Sequence, residues 1–296
     1  MSRLLIIDGH AYAYRAFYAI RELRSPTGCP TNAIFGFVKM LAKMRATLSP
    51  SQIVVVWDGG LSPERTAVLP EYKSQRPEMP ADLSVQIDEM MCYLDAAGIP
   101  SLCREGVEAD DYIACLARRA PSMGMDVVIA TSDKDFMQLV APGIGLLNPN
   151  DKTETVWTAE QVRNKAGVEP SQIVDWLALV GDSVDNIPGV PGVGTKTAAA
   201  LLKQFGSIEA LYQRLDAVCP ERLRTALRDA AAVVRRNQEL IRLRDDVPCA
   251  DASMQLEART PDEERLLELF VRWGFKGLAK ELKANRGKQA DLFAAA

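Results

Sequence analysis

The sequence predicts an α/β protein with a doubly wound, mostly parallel sheet, one Pro-bounded insertion and a helical lobe at the C-terminal end. Up to Asn148, short apolar segments typical of buried strands alternate with longer segments that have the spacing of helices. After Asn148 the alternation gives way to short helices and one turn rich in glycine and proline. We therefore expect an α/β core over residues 1–170 and a helical lobe over residues 171–283.

The core elements follow from this alternation. Strands are predicted where a segment is short, continuous and apolar, namely at Arg3–Ile7, Ile53–Trp57, Ile99–Cys103 and Asp126–Ala130. Helices are predicted between them at Asn32–Met44, Leu83–Ala97 and from Glu108 to Arg119, and Gly98 is a usual helix stop. Ligands of such sheets bind outside the carboxyl ends of the strands. Functional residues are therefore expected just after each strand.

Composition limits the chemistry. The chain has 296 residues, 48% of them hydrophobic and 25% charged, which is enough for one large domain or a domain with a lobe. It has a single histidine, and its six cysteines are scattered without a Cys-x-x-Cys pair, so a zinc site is not indicated. No apolar run approaches the roughly 20 residues that span a membrane. We expect a cytoplasmic, nucleoid-associated monomer whose chemistry runs on carboxylates, lysine, arginine or metal ions.

Acidic residues recur at the ends of the apolar segments. Three of them lie within four residues where a helix is predicted to begin, and the helix dipole alone accounts for one or two. The full set is Asp8, Asp58, Glu108, Asp110, Asp111, Asp133, Asp135, Asp182 and Asp185. Removing these nine from the 39 acidic residues leaves 30 against 35 basic ones. This distribution is typical of a protein that holds divalent cations against a polyanion.

Residues 60–80 interrupt the alternation, with prolines near both ends and too few apolar side chains for a core segment. The segment contains Arg65, Tyr72, Lys73 and Arg76. It is predicted to be a mobile basic excursion beside the acidic site, with a solvated surface loop as the alternative.

The glycine-rich turn after Asp185 resembles a nucleotide-binding loop only superficially. A P-loop needs Gly-Lys-Thr contiguous, whereas Thr195 separates Gly194 from Lys196. The turn still presents backbone N–H groups at the start of a helix, with Lys196 and Lys203 nearby. It is therefore predicted to hold DNA phosphates without reading sequence.

Taken in order, these motifs resemble the 5′ nuclease domain at the N-terminus of bacterial DNA polymerase I and, more distantly, phage 5′ exonucleases and flap endonucleases. The resemblance covers about residues 3–280 and rests on the acidic motifs together with Gly181–Gly189. It implies a two-metal site in the sheet body, a helical arch at about residues 60–80, and a helix-three-turn-helix module at residues 183–205. No segment follows residue 296 to form proofreading or polymerase domains, so two expectations stay open: a natural single-domain nuclease, or a fragment of a polymerase.

By this resemblance, two Mg²⁺ or Mn²⁺ ions are bound by the nine acids. Asp8, Asp58, Glu108 and Asp110 surround one ion, while Asp110, Asp133, Asp135 and Asp185 surround the other, and Asp111 and Asp182 act through water. Asp110, Lys73 and Arg76 are expected to serve catalysis, and Lys134 to balance charge. The residues expected to bind DNA are Arg65, Tyr72, Lys73, Arg76, Ser183, Gly189, Gly192, Gly194, Lys196 and Lys203. A K⁺ ion is expected in the DNA-binding lobe.

The predicted function is structure-specific 5′-3′ exonuclease and flap endonuclease activity on DNA with 5′ flaps or single-stranded 5′ ends, and on RNA primer strands. Two alternatives remain open: a PIN-type ribonuclease and a structure-specific DNA-binding protein without catalysis. Residues 284–296 are expected to be a disordered tail, in which Gln289, Leu292 and Phe293 resemble the short motif that docks on the bacterial sliding clamp.

Overall fold

The computed structural model describes residues 2–151, 153–247, 256 and 258–284, which form two compact units. Among these residues, one unit contains 2–57, 79–102, 256 and 258–284, and the other contains 58–78, 103–151 and 153–247. We call them the amino unit and the nuclease unit. The predicted clamp-docking residues Gln289, Leu292 and Phe293 lie outside the described residues.

The elements follow one another in chain order. The strands are β1 (Ser2–Asp8), β2 (Gln52–Trp57), β3 (Ser101–Cys103), β4 (Met125–Ala130), β5 (Ile144–Leu147), β6 (Val156–Trp157), β7 (Gly181–Asp182) and β8 (Ile187–Pro188). The α-helices are α1 (Gly9–Ala19), α2 (Asn32–Leu48), α3 (Pro63–Val68), α4 (Ala81–Ala96), α5 (Ala109–Arg119), α6 (Ala159–Ala166), α7 (Ile173–Val180), α8 (Thr195–Phe205), α9 (Ile208–Gln213), α10 (Glu221–Asp229), α11 (Ala231–Ile241) and α12 (Glu263–Arg272), and residues 276–284 are also helical.

The amino unit contains parallel pairing between β1 and β2, with Leu4 opposite Gln52 and Asp8 opposite Val56. In this unit the strand order is β3-β2-β1. The interior positions of β1 and β2 are buried on both faces, which explains why they are continuous apolar runs. Phe37 of α2 stacks on Trp57 with ring centroids 6.0 Å apart.

The nuclease unit contains β4 paired in parallel with β5, and β5 paired antiparallel with β6. Its second half is helical, and α7 is apolar almost all round because it is buried between neighbours that include α8 and α11. The short hairpin of β7 and β8 follows α7 directly. Residues 60–80 form α3 and a series of turns.

The predicted fold class, a mostly parallel α/β sheet with a helical C-terminal part, is confirmed. All four predicted strands are present within two residues of their expected ends. Four further strands, β5 to β8, were not predicted because each contains only two to four residues. No helix among the described residues has the length and apolar character needed to cross a membrane.

Candidate nuclease site

Eight of the nine predicted acids belong to the nuclease unit, where they come from four places in the chain. Asp58 follows β2, and its Oδ1 accepts a hydrogen bond from the Ala109 N–H at 3.3 Å. The others lie at the start of α5, after β4, and in the hairpin after α7. Asp8 belongs to the amino unit, where it ends β1 and caps α1 by accepting from the Ala11 N–H at 3.0 Å. Its predicted role as a metal ligand remains a prediction.

The segment after β4 carries the most strongly perturbed acids. Asp133 begins a short 3₁₀ helix and accepts a hydrogen bond from the Asp135 N–H at 2.9 Å. Burial, followed by repulsion from neighbouring carboxylates, raises the pKa of Asp133 and raises that of Asp135 still further. No described residue donates a hydrogen bond to the buried Oδ1 of Asp135. An electron-rich oxygen in this situation is suited to a cation.

The hairpin of β7 and β8 presents Asp182 and Asp185. The hairpin needs glycine at two positions, since a Cβ on Gly181 would lie 2.3 Å from the Gly189 nitrogen and one on Gly189 would lie 2.1 Å from the Val180 oxygen. Asp182 accepts a hydrogen bond from the Val184 N–H at 3.0 Å. The Lys134 ammonium lies 3.0 Å from the Asp182 carboxylate, which is consistent with the charge-balancing role predicted for Lys134.

Glu108 lies directly before α5 and is only 2% exposed. Its Oε2 accepts hydrogen bonds from the Lys73 ammonium at 3.0 Å, the Arg65 guanidinium at 2.9 Å and the Tyr72 hydroxyl at 3.2 Å. Burial alone would raise the pKa of Glu108, but Lys73 and Arg65 together hold it below its usual value. Lys73 also lies 3.9 Å from Asp110, so the acids at the start of α5 are neutralised by the protein's own cations.

The basic segment, residues 60–80, also packs onto the hairpin of β7 and β8. The Lys73 N–H donates to the Asp185 carbonyl at 3.0 Å, and the Arg76 guanidinium donates to the Asp185 carboxylate at 2.5 Å. Asn186, which has a φ of 58°, donates from its side chain to the Glu71 carbonyl at 2.9 Å. Residues 71–76 are therefore fixed against residues 185–186, which differs from the predicted mobile excursion.

The predicted DNA contacts divide into buried and accessible groups. Arg65, Tyr72 and Lys73 are 5%, 4% and 6% exposed, and all three bond to acids of the site. In this arrangement their burial does not support the direct DNA contacts predicted for Arg65, Tyr72 and Lys73, since all three side chains already have protein partners. Arg76 is more open, with 39% of its side chain exposed.

The glycine-rich turn is accessible, as predicted. Ser183, Gly192, Gly194, Lys196 and Lys203 are exposed, and Gly189 is half-buried. Gly194 immediately precedes α8, and the Trp176 indole donates to the Thr195 carbonyl at 3.0 Å, which fixes the start of that helix. Backbone N–H groups at such a helix start can bind phosphate.

The acids of the nuclease unit have the ligand chemistry of a divalent-cation site, but their side chains are not close enough together to bind an ion as they stand. Asp133, Asp135, Asp182 and Asp185 supply only oxygen ligands, which suits Mg²⁺ or Mn²⁺ better than zinc. Each of the other three raises the pKa of Asp135, which indicates that they share one region. Within the described ranges no three Asp, Glu, His or Cys side chains are arranged closely enough to hold an ion. These carboxylates would have to move closer together to hold an ion.

One arrangement was missed by the sequence reasoning. Asp111 accepts two hydrogen bonds of 2.7 Å from the Arg65 guanidinium and one of 2.9 Å from the Arg244 N–H. It is 3% exposed and belongs to a structural ion pair. Its predicted action on a metal through water is therefore not supported by this geometry. The sequence signal was weak, because Arg65 lies in a polar segment far from Asp111 in the chain.

The sequence matches two family descriptions. Residues 3–167 match "5'-3' exonuclease, N-terminal resolvase-like domain", and residues 168–264 match "5'-3' exonuclease, C-terminal SAM fold". The chain is 39% identical to a 5'-3' exonuclease of Aquifex aeolicus over 296 residues, covering 99% of this chain and 100% of that protein. It is 43% identical over 262 residues to a DNA polymerase I of Chloroflexus aurantiacus, covering 86% of this chain and 27% of the polymerase.

Solved structures share the fold. A T5 5'-exonuclease described with bound zinc ions aligns with a TM-score of 0.67 at 22% identity, covering 91% of this chain and 99% of the other. The catalytic core of Rad2 in complex with a DNA substrate aligns with a TM-score of 0.63 at 18% identity, covering 92% of this chain and 88% of the other.

Proposed function

Because the chain belongs to the 5′-3′ exonuclease family, we propose that it is a metal-dependent nuclease that hydrolyses DNA at 5′ ends and at the junctions of 5′ flaps. The observation that carries the proposal is the buried acid group of the nuclease unit, with its unpartnered Asp135 oxygen, next to a fixed basic segment. The chain spans about a third or less of its DNA polymerase I relatives, so no polymerase activity is proposed.

We propose two Mg²⁺ or Mn²⁺ ions as cofactors. Asp133, Asp135 and Asp185, with Asp110, would hold one, and Asp8, Asp58, Glu108 and Asp110 the other. When bound, such ions lower the pKa of water and stabilise negative charge on the leaving oxygen. Asp110 lies 3.9 Å from Lys73 and is the most exposed acid of the α5 start, which suits a shared ligand.

In this proposal Lys73 and Arg76 also act on the substrate. Lys73 and Arg76 now neutralise Glu108 and Asp185, and both would turn toward the scissile phosphate once divalent cations replace them at the acids. The exposed glycine-rich turn, with Lys196 and Lys203, would grip the phosphates of the duplex through backbone N–H groups and positive charge. Grip and cleavage then lie on different segments of the nuclease unit.

The finer parts of the proposal concern substrates and partners. Flap DNA and RNA primer strands are the proposed substrates, a K⁺ ion is proposed in the helical lobe, and the enzyme is proposed to act as a monomer. The tail residues Gln289, Leu292 and Phe293 are proposed to dock on the sliding clamp, which would raise the local enzyme concentration at its substrate. We also propose that the boundary between the α/β core and the helical lobe lies near residue 170.

The test compares labelled 5′-flap DNA, single-stranded DNA and RNA, each with and without Mg²⁺. Metal-dependent cleavage at the flap junction is expected. Asp110→Ala is expected to retain flap binding and to lose at least nine tenths of the cleavage rate, as about tenfold or larger losses are usual for ligand removal. Cleavage of RNA alone would favour a PIN-type ribonuclease. Flap binding without any cleavage would favour a non-catalytic DNA-binding protein.

A further inference from the structure

The guanidinium group of Arg65 is fully used inside the nuclease unit. Nη1 donates to Glu108 at 2.9 Å and to Asp111 at 2.7 Å, and Nη2 donates to Asp111 at 2.7 Å. Nε donates to the Leu240 carbonyl at 2.8 Å, and Nη2 also donates to the Arg242 carbonyl at 3.2 Å. These five hydrogen bonds match the donor capacity of an arginine.

The acceptors of Arg65 come from two separate elements. Glu108 and Asp111 lie at the start of α5, while the two carbonyl groups lie at the C-terminal end of α11. Carbonyl groups at the end of a helix lack partners within the helix and carry partial negative charge, so they favour a cation. Arg65 therefore joins the acidic start of one helix to the end of another.

The same helix is attached to the hairpin one turn earlier. Asn237 of α11 is 0% exposed, and its side chain donates to the Ala178 carbonyl at 3.1 Å and to the Pro188 carbonyl at 2.7 Å. Ala178 belongs to α7, and Pro188 belongs to the hairpin that presents Asp182 and Asp185. The last turn of α11 thus contacts the hairpin through the Asn237 side chain and contacts Arg65 through the Leu240 carbonyl.

We propose that Arg65 is a positioning residue for the acid site, and that it acts by fixing Glu108 and the start of α5 to the last turn of α11. Through Asn237, that turn also fixes the hairpin acids, so Arg65 and Asn237 together set the separation of the two groups of metal-binding carboxylates. Asp111 is the anchor of Arg65 in this arrangement. The inference rests on the proposed function only in taking these acids as metal ligands.

Arginine is required at this position for a geometric reason. Lysine carries the same charge, but its three donors radiate from a single atom and cannot serve two carboxylates and two carbonyl groups spread around a plane. Arg65→Lys therefore keeps the charge balance of the buried group and loses the connection between α5 and α11. A role in charge balance alone would survive this substitution.

The experiment uses the full chain and Mn²⁺ as the probe. Arg65→Lys and Asn237→Ala are compared with Arg235→Lys, an exposed arginine on the same helix. Mn²⁺ binding is measured by calorimetry without DNA, and the single-turnover rate and flap affinity are measured separately. We expect Arg65→Lys to weaken Mn²⁺ binding and to lower the rate by about tenfold or more, with unchanged flap affinity and an unaffected Arg235→Lys control.

The remaining outcomes separate the inference from the proposed function. If wild type cleaves flaps and a folded Arg65→Lys binds Mn²⁺ and cleaves within twofold of it, the inference is overturned and the function stands. If wild type binds Mn²⁺ but cleaves nothing, the function fails, and weaker Mn²⁺ binding by Arg65→Lys still supports the inference. If wild type binds no Mn²⁺, both fail. Should Arg65→Lys not fold, Asn237→Ala carries the same comparison without altering an acid or a cation.

Discussion

Replacing Arg65 with methionine is expected to destabilise the protein far more than the same change at an exposed arginine. Arg65 is 5% exposed, and its removal leaves Glu108 and Asp111 buried without their shared cation. Removing one partner of a buried ion pair costs about 3–5 kcal/mol of unfolding free energy. In a chain of this size, each kcal/mol corresponds to about 2–4 °C in melting temperature.

Arg118→Met is the matched control. Arg118 pairs with Asp245 at 2.6 Å, but its side chain and that of Asp245 are 43% and 47% exposed. Pairs of this kind contribute about 1 kcal/mol or less. Urea unfolding followed by tryptophan fluorescence measures both variants at neutral pH, and adding Asp111→Leu to Arg65→Met should recover part of the loss. Equal losses for Arg65→Met and Arg118→Met would refute the reasoning.

Four further outcomes are expected. Without metal at neutral pH, Asp133→Asn and Asp135→Asn should melt above wild type, because burial raises the pKa of both acids and disfavours their charge. Since a raised pKa in the folded state makes wild type more stable as it takes up protons, this gain should shrink as the pH falls below neutral, and a gain that grows on acidification would contradict it. Mg²⁺ or Mn²⁺ should raise the melting temperature of wild type more than that of either variant, as measured by calorimetry; an equal rise would mean that these acids are not ligands. Lys73→Ala and Arg76→Ala should lower the single-turnover rate more than the flap affinity, whereas a change in affinity alone would make the segment a tether. A peptide of residues 283–296 should bind the cognate clamp with a Kd of about 1–100 μM, as measured by titration calorimetry. The double substitution Leu292→Ala with Phe293→Ala should abolish this binding. If the unsubstituted peptide gives no binding heat at high concentration, the docking motif is refuted.

The strands and the acids could be predicted from sequence because their signals are local. β1 and β2 are continuous apolar runs that lead directly to Asp8 and Asp58, so each strand and its candidate ligand can be identified from adjacent residues. The glycines of the hairpin are also local, since the close approach of Gly181 and Gly189 leaves no space for a side chain. The helix over Ala109–Arg119 follows from acids at its start and apolar spacing after them.

Pairing between distant residues could not be predicted in this way. Arg65 and Leu240 are separated by 175 positions, and nothing in either segment alone indicates that one donates to the other. Asp111 is likewise one of three neighbouring acids with the same local pattern, yet it bonds Arg65 and the Arg244 N–H. The motif therefore placed all three acids at the metal site, either directly or through water, although burial gives Asp111 a protein partner in Arg65.

The basic segment illustrates how burial separates residues that a sequence presents as equivalent. Arg65 makes five hydrogen bonds to protein acceptors and is buried, so moving it would leave Glu108 and Asp111 buried without their shared cation, at a cost of several kcal/mol. The Arg76 guanidinium donates one hydrogen bond of 2.5 Å to Asp185 and 39% of the side chain is exposed, so water can replace this partner at little cost in free energy. Of these two arginines, Arg76 is the one that can leave its carboxylate at the lower cost when a divalent ion or a phosphate arrives. Arg76 is therefore suited to exchange between Asp185 and DNA, whereas Arg65 is suited to hold the acids in place while that exchange occurs.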